Sequence, residues 1–129
     1  MAEKAGLTLK EAMDLLNAQT SRGDAMWNFY MLVSVGVLTL GLEKAEDWHT
    51  KIVLSLAFLI FASVNAAVLY RTQEGATLLY DVIRTRADAD NPEPELRIAL
   101  TKLKRATPRR MLWFHLVLDI VVIAALWTR

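Results

Sequence analysis

A chain of 129 residues is one domain at most, and its net charge of +1 gives no electrostatic basis for binding nucleic acid. It contains no cysteine, which excludes a disulfide frame, a thiolate metal site and a cysteine nucleophile. Hydrophobic residues make up 54% of it, above the roughly 45–50% of ordinary soluble proteins, and the excess is concentrated in three runs.

Those runs, 25–42, 52–70 and 111–128, are nearly free of charge. A helix needs about 20 mostly apolar residues to cross roughly 30 Å of hydrocarbon, with about 17 as the lower limit. All three pass with little slack, so they should stand fairly upright. A soluble bundle would show a polar stripe at helical spacing. MWNFYMLVSVGVLTLGL and IVLSLAFLIFASVNAAVLY have none. The expected fold is therefore an all-α integral membrane domain over 1–129. It has three transmembrane helices, an N-terminal amphipathic helix, and a cytoplasmic helical hairpin between helices two and three.

In chain order, residues 8–21 read TLKEAMDLLNAQTS. Thr8 and Glu11 match the S/T-x-x-E capping box. Leu9, Ala12, Met13 and Leu16 then share an apolar face, as a short amphipathic helix would. It could lie on the membrane surface, pack on a partner, or dock on the protein's own hairpin. Arg22-Gly23-Asp24 reads as a stop followed by a fresh N-cap. The run 25–42 follows four acids and is not trailed by a small-x-small cleavage site, so it reads as a permanent span rather than a signal peptide.

His49 lies close to Glu46 and Asp47 in the short connection before 52–70. A metal could use such a pair, but a solvated loop explains it as well. Within 52–70, Ala62, Ser63, Ala66 and Ala67 form small-xxx-small pairs that let helix backbones approach closely. Span one offers Ser34, Gly36 and Gly41 for the same purpose.

The 40 residues of 71–110 are too many for a structureless connection. TQEGATLLYDVIRTRADAD extends the second span as a helix, with Leu69, Thr72, Ala76, Leu79 and Ile83 on one face. Asn91-Pro92-Glu93-Pro94 signals a turn. Residues 95–106 return as a helix with Leu96, Leu100 and Leu103 aligned, ended by Thr107-Pro108. The return arm carries Arg97, Lys102, Lys104, Arg105, Arg109 and Arg110 and no acid after Glu95. Beside a membrane, such a cluster attracts anionic lipid headgroups at about 1 kcal/mol per charge. It also serves as a plain topology signal.

Lysine and arginine set orientation. Three precede the first span, two lie between the first and second, nine between the second and third, and one follows the third. The N-terminus and the 71–110 connection share a side, which carries twelve of the fifteen. The expected location is a plasma or inner membrane with the N-terminus cytoplasmic and the C-terminus outside. Trp27, Trp48, Trp113 and Trp127 fall at the span boundaries, where an amphipathic ring prefers headgroup depth, so they are read as interface anchors.

The third span contains His115 and Asp119, four apart and so on one helix face. A mid-span aspartate costs about 2.5–3.5 kcal/mol on insertion scales and normally faces the bundle interior or water. Ser34 in span one and Ser63 and Asn65 in span two occur at comparable depths, which is how a buried polar cluster looks in sequence. Three roles are open: fixing helix packing, lining an aqueous path, or ligating a metal. The last would need copies from several subunits, because one His and one Asp supply two ligands.

No catalytic pair, phosphate loop, metal motif or cofactor motif is visible, so the expectation is a non-enzymatic protein without a cofactor. It would act as a self-assembling or accessory subunit or scaffold of a membrane complex, with the lipid bilayer and other protein chains as its partners. The alternative is a homo-oligomeric pore or proton/ion channel whose path is faced by His115 and Asp119.

Overall fold

A computed structural model of the chain describes residues 7–44, 47–89, 94–95, 98 and 107–128. Three helices account for nearly all of them: α1 Leu9–Lys44, α2 Trp48–Ala89 and α3 Pro108–Trp127. No strand occurs among the described residues. Each helix is long and apolar enough to cross a membrane.

The starts follow local chemistry. Thr8 and Glu11 form the reciprocal capping box: the Thr8 N–H donates to Glu11 Oε2 at 2.8 Å, and the Glu11 N–H donates to Thr8 Oγ1 at 3.3 Å. Asp47 caps α2 by accepting from the Thr50 N–H at 2.8 Å and from the Thr50 hydroxyl at 2.7 Å. These bonds, the backbone one first, hold the Asp47 carboxyl below its ordinary range. At α3, Thr107 is extended and Pro108 occupies the first turn, where its missing N–H leaves nothing unpaired.

One boundary differs from expectation. The stop at Arg22-Gly23-Asp24 does not occur: α1 runs unbroken from Leu9 to Lys44, so residues 8–21 are not a separate amphipathic helix. Gly23 lies within the helix and faces α2: a Cβ there would meet the Thr72 methyl at 3.7 Å, an ordinary packing distance. As expected, α2 continues from the second span through 71–87 as one helix and ends at Ala89. The turn at 91–93 and most of the return arm 95–106, with Leu96, Leu100 and Leu103, lie outside the described residues.

At 1.5 Å per residue, α1 is about 54 Å long, α2 about 63 Å and α3 about 30 Å. The first two therefore overrun the third. α1 and α2 pack antiparallel, with Ala12 and Leu16 near Ala76 and Ile83 at one end and Tyr30 near Phe58 further along. α3 lies parallel to α1: Leu126 meets Gly41, and Trp127 meets Ser55 at the start of α2. The bundle has a projecting end, where α1 and α2 continue as a pair, and a turn end, where α1 stops at Lys44 and α2 starts at Trp48.

In the three-helix part apolar side chains cover the surface, and polar ones are buried beside Tyr30, Phe58, Ala62 and Val122. Leu32, Val35, Val53, Ile60, Val64, Trp113, Ile120 and Val121 are exposed, while Ser34, Ser55, Asn65 and His115 are buried. Such a surface suits hydrocarbon, and the arrangement is compatible with an integral membrane protein. In the projecting pair charged side chains join the surface, alongside exposed Leu15 and Leu78. Ala12, Leu16, Ala76 and Ile83 form its core, with Leu9, Leu79 and Tyr80 against it. Lys10, Asp14, Arg22, Glu74 and Arg84 face outward. Met13 is also exposed, so the buried face of this stretch runs through Ala12 and Leu16 only.

Candidate functional site

The site is built on α3 by the four-residue spacing of His115 and Asp119, which stacks both on one face. Asp119 lies about 17 Å along the helix from Pro108 and about 12 Å from Trp127, close to the middle. The two side chains meet: His115 Nδ1 is 3.0 Å from Asp119 Oδ2. From α1, the Tyr30 hydroxyl donates to Asp119 Oδ1 at 2.7 Å. From α2, Asn65 Nδ2 lies 3.3 Å from His115 Nε2. One hydrogen-bonded chain, Tyr30–Asp119–His115–Asn65, therefore joins all three helices.

With Asn65 in this orientation its amide nitrogen donates to Nε2, and Nδ1 is then the nitrogen that donates to Asp119. Asp119 accepts one bond on each oxygen and is itself 15% exposed, while His115 is 1% exposed. Neither polar group is left without a partner, which removes the penalty of an orphaned donor or acceptor in apolar surroundings.

Aromatic rings enclose the imidazole. Trp27 stacks on it at 5.6 Å between centroids and 11° between planes. Tyr30 lies 4.1 Å away on a tilt, and Phe114 meets the Trp27 indole edge-on at 5.9 Å. Towards the turn end, Tyr30, Phe58, Ala62 and Val122 close into an apolar cluster bordered by Phe61 and Leu118. Towards the projecting end, Trp27 forms part of the wall of a crevice of about 300 Å³. Gln19, Thr20, Asp24, Thr72, Gln73 and Tyr80 also line it.

Of the five residues read as a polar cluster, His115, Asp119 and Asn65 come together. Ser34 is buried beside them but gives its hydroxyl to the Tyr30 carbonyl at 2.8 Å. Ser63 is exposed on the other side of α2, because residues two apart on a helix point about 200° away from each other. Of the four tryptophans, Trp48, Trp113 and Trp127 are exposed near helix ends. Trp27 instead is half-buried and turned inward against His115. Trp127 also donates its indole N–H to the buried Ser55 hydroxyl at 3.1 Å.

Tyr30 and Ser55 were not expected in these roles. For Tyr30 the signal is spacing: 27, 30 and 34 fall on one stripe of α1 with Leu16, Gln19, Gly23 and Gly41. Of the basic cluster, Arg109 and Arg110 are exposed in the first turn of α3, and Arg97, Lys102, Lys104 and Arg105 lie outside the described residues. His49 sits in the first turn of α2 with its ring 3.8 Å from that of Trp48. Among the described residues there is no group of three or more His, Asp or Glu side chains placed to hold a metal ion. No protein-family model, curated protein or solved structure matches the chain.

Proposed function

We propose that the chain is a non-enzymatic integral membrane protein that serves as a self-assembling or accessory subunit, a scaffold within a larger membrane complex. The observation that carries this reading is the direction of His115 and Asp119. Both turn towards helices of their own chain, and each of their bonds is made within it. Polar contacts of this kind between membrane helices average about 0.6 kcal/mol and set geometry more than they add stability. Here they fix the rotation of α1, α2 and α3 relative to one another. A conduit would need the pair to face a shared axis, so the pore reading has less support.

In this reading the membrane is a plasma or inner membrane. The projecting end is cytoplasmic, because it carries the N-terminus and the basic 71–110 connection. Residues 71–110 form a helical hairpin whose first arm is the far half of α2. Arg109 and Arg110 sit at the headgroup level of the same leaflet and contact anionic lipid together with Arg97, Lys102, Lys104 and Arg105.

The test is the mass of the complex extracted in native lipid, with every co-extracted polypeptide identified. A defined mass that includes further chains, or several copies of this one, supports the subunit reading. A lone monomer overturns it. A closed ring of this chain alone that passes ions in liposomes, and loses flux with Asp119→Asn, replaces it with the pore.

A further inference from the structure

We propose that the crevice between α1 and α2 binds a primary ammonium group, such as the one an ethanolamine lipid headgroup carries. Its place in the fold comes first. Trp27, Leu69 and Met111 line it, and they stand at or next to the ends of the apolar runs 25–42, 52–70 and 111–128. In a bilayer those ends lie at headgroup depth, with hydrocarbon on one side and water on the other. At about 300 Å³ the crevice has room for several waters, or for a short polar stem and its amine.

The chemistry of the wall selects the ligand. Among the described residues that line it there is no lysine or arginine, and Asp24 supplies the one carboxylate, so the charge it complements is positive. The hydroxyls agree. Thr20 spends its proton on the Leu16 carbonyl at 2.9 Å, which leaves lone pairs on its oxygen to accept. Thr72 is only 7% exposed, and its methyl is the branch that faces Gly23. Its hydroxyl has no hydrogen-bond partner among the described residues. Such a group is costly to bury unless something in the crevice meets it. The Gln19 amide is seated across the seam between the helices, over Gly75, where a Cβ would come within 2.8 Å of Nε2. A primary ammonium brings three donors and no acceptor, the complement of the Asp24 carboxylate and the two threonine oxygens. A quaternary ammonium has no N–H to give, and a phosphate brings the wrong charge. The inference rests on the chain lying in a bilayer and asks nothing of a partner, so it can fail while the subunit reading stands.

The experiment places the full chain in nanodiscs of phosphatidylglycerol mixed equally with phosphatidylethanolamine or with its N-trimethyl counterpart, phosphatidylcholine. Native mass spectrometry counts the lipids that each chain retains. The ethanolamine lipid should be retained over the choline lipid by about fivefold, as a charge-assisted hydrogen bond allows. Asp24→Asn and Thr72→Val should each remove that preference and leave retention of phosphatidylglycerol unchanged. Valine keeps the shape of threonine and the methyl against Gly23. Thr72→Ser, which keeps the hydroxyl, should keep the preference. Discs of phosphatidylglycerol alone, with free ethanolamine followed by NMR, separate the two sources of the amine. Ethanolamine bound by the parent and lost in Thr72→Val supports a soluble amine; the lipid preference without such binding supports the headgroup. Equal retention of the two lipids with no ethanolamine bound overturns the site. A preference that both Asp24→Asn and Thr72→Val leave intact overturns it as well.

Discussion

The projecting pair and the three-helix part share α1 and α2, yet they differ in what they bury and what they show. In the pair, small and aliphatic side chains such as Ala12, Leu16, Ala76 and Ile83 are hidden, and charges face out. In the three-helix part, Leu32, Ile60 and Trp113 face out and a chain of polar side chains is hidden. Burial of apolar area drives association only where the surroundings are water. Where they are hydrocarbon, a leucine gains little by turning inward, and hydrogen bonds and close packing decide which faces meet. The changeover falls near Trp27, where the polar crevice gives way to the stacked rings.

The comparison is broken most sharply in the pair. Ile83→Ala should destabilise it by about 3 kcal/mol, since a buried isoleucine cut to alanine costs about 2–5 kcal/mol. Hydrogen exchange of the backbone amides of 9–24 reads this directly, and protection unchanged by the substitution would mean that burial does not hold the pair.

The next effect belongs to the polar chain. Asp119→Leu strands the Tyr30 hydroxyl and the His115 Nδ1–H together, and should cost about 2 kcal/mol, as unpaired buried groups do. Reversible unfolding in lipid measures it. A double-mutant cycle of Tyr30→Phe with Asp119→Asn should return a coupling of about 0.6–1.7 kcal/mol. Zero coupling would mean that the 2.7 Å contact contributes nothing to holding α1 on α3.

Smaller still is Ser55→Ala, which removes the acceptor of the Trp127 indole and should cost about 0.6 kcal/mol in the same assay. It sharpens the contrast, because the same hydroxyl in water would matter less. The smallest effect is confined to the start of α2. Asp47 titrates below its ordinary range because the Thr50 N–H and hydroxyl bind its charged form. A carboxyl lowered by folding stabilises above its unfolded pKa, and that contribution is lost as pH falls through the folded value. Exchange at the Thr50 and Lys51 amides should therefore quicken only below about pH 4, and Asp47→Ala should make it fast at every pH.

Much of this was legible because membrane helices put their unusual residues where they are needed. His115 and Asp119 stood out as ionisable groups in an apolar run, and Asn65 lay at matching depth; all three meet in the structure. The apolar face of 71–87, from Leu69 through Ile83, was readable from its spacing and is buried against α1. Tyr30 and Trp27 were hidden by position. An aromatic near the end of a hydrophobic run reads as a headgroup anchor, and only the neighbouring helices show which way it faces. Gly23 between Arg22 and Asp24 carried a local stop signal, yet the helix runs through it with α2 packed alongside. Ser63 shared depth with Asn65 but not direction, and depth alone was an incomplete criterion.

The absence of a break at Gly23 has a mechanical consequence. From Tyr30 to the tip at Leu9, α1 is one rod about 31 Å long, with no hinge to absorb a load. A tilt of about 5° at Tyr30 swings that tip by nearly 3 Å, about half a helical pitch. α2 is equally unbroken and braces it along the same length. Whatever grips the tip of this pair is applying torque to the Tyr30–Asp119 bond, and whatever changes that bond is felt at the tip as leverage.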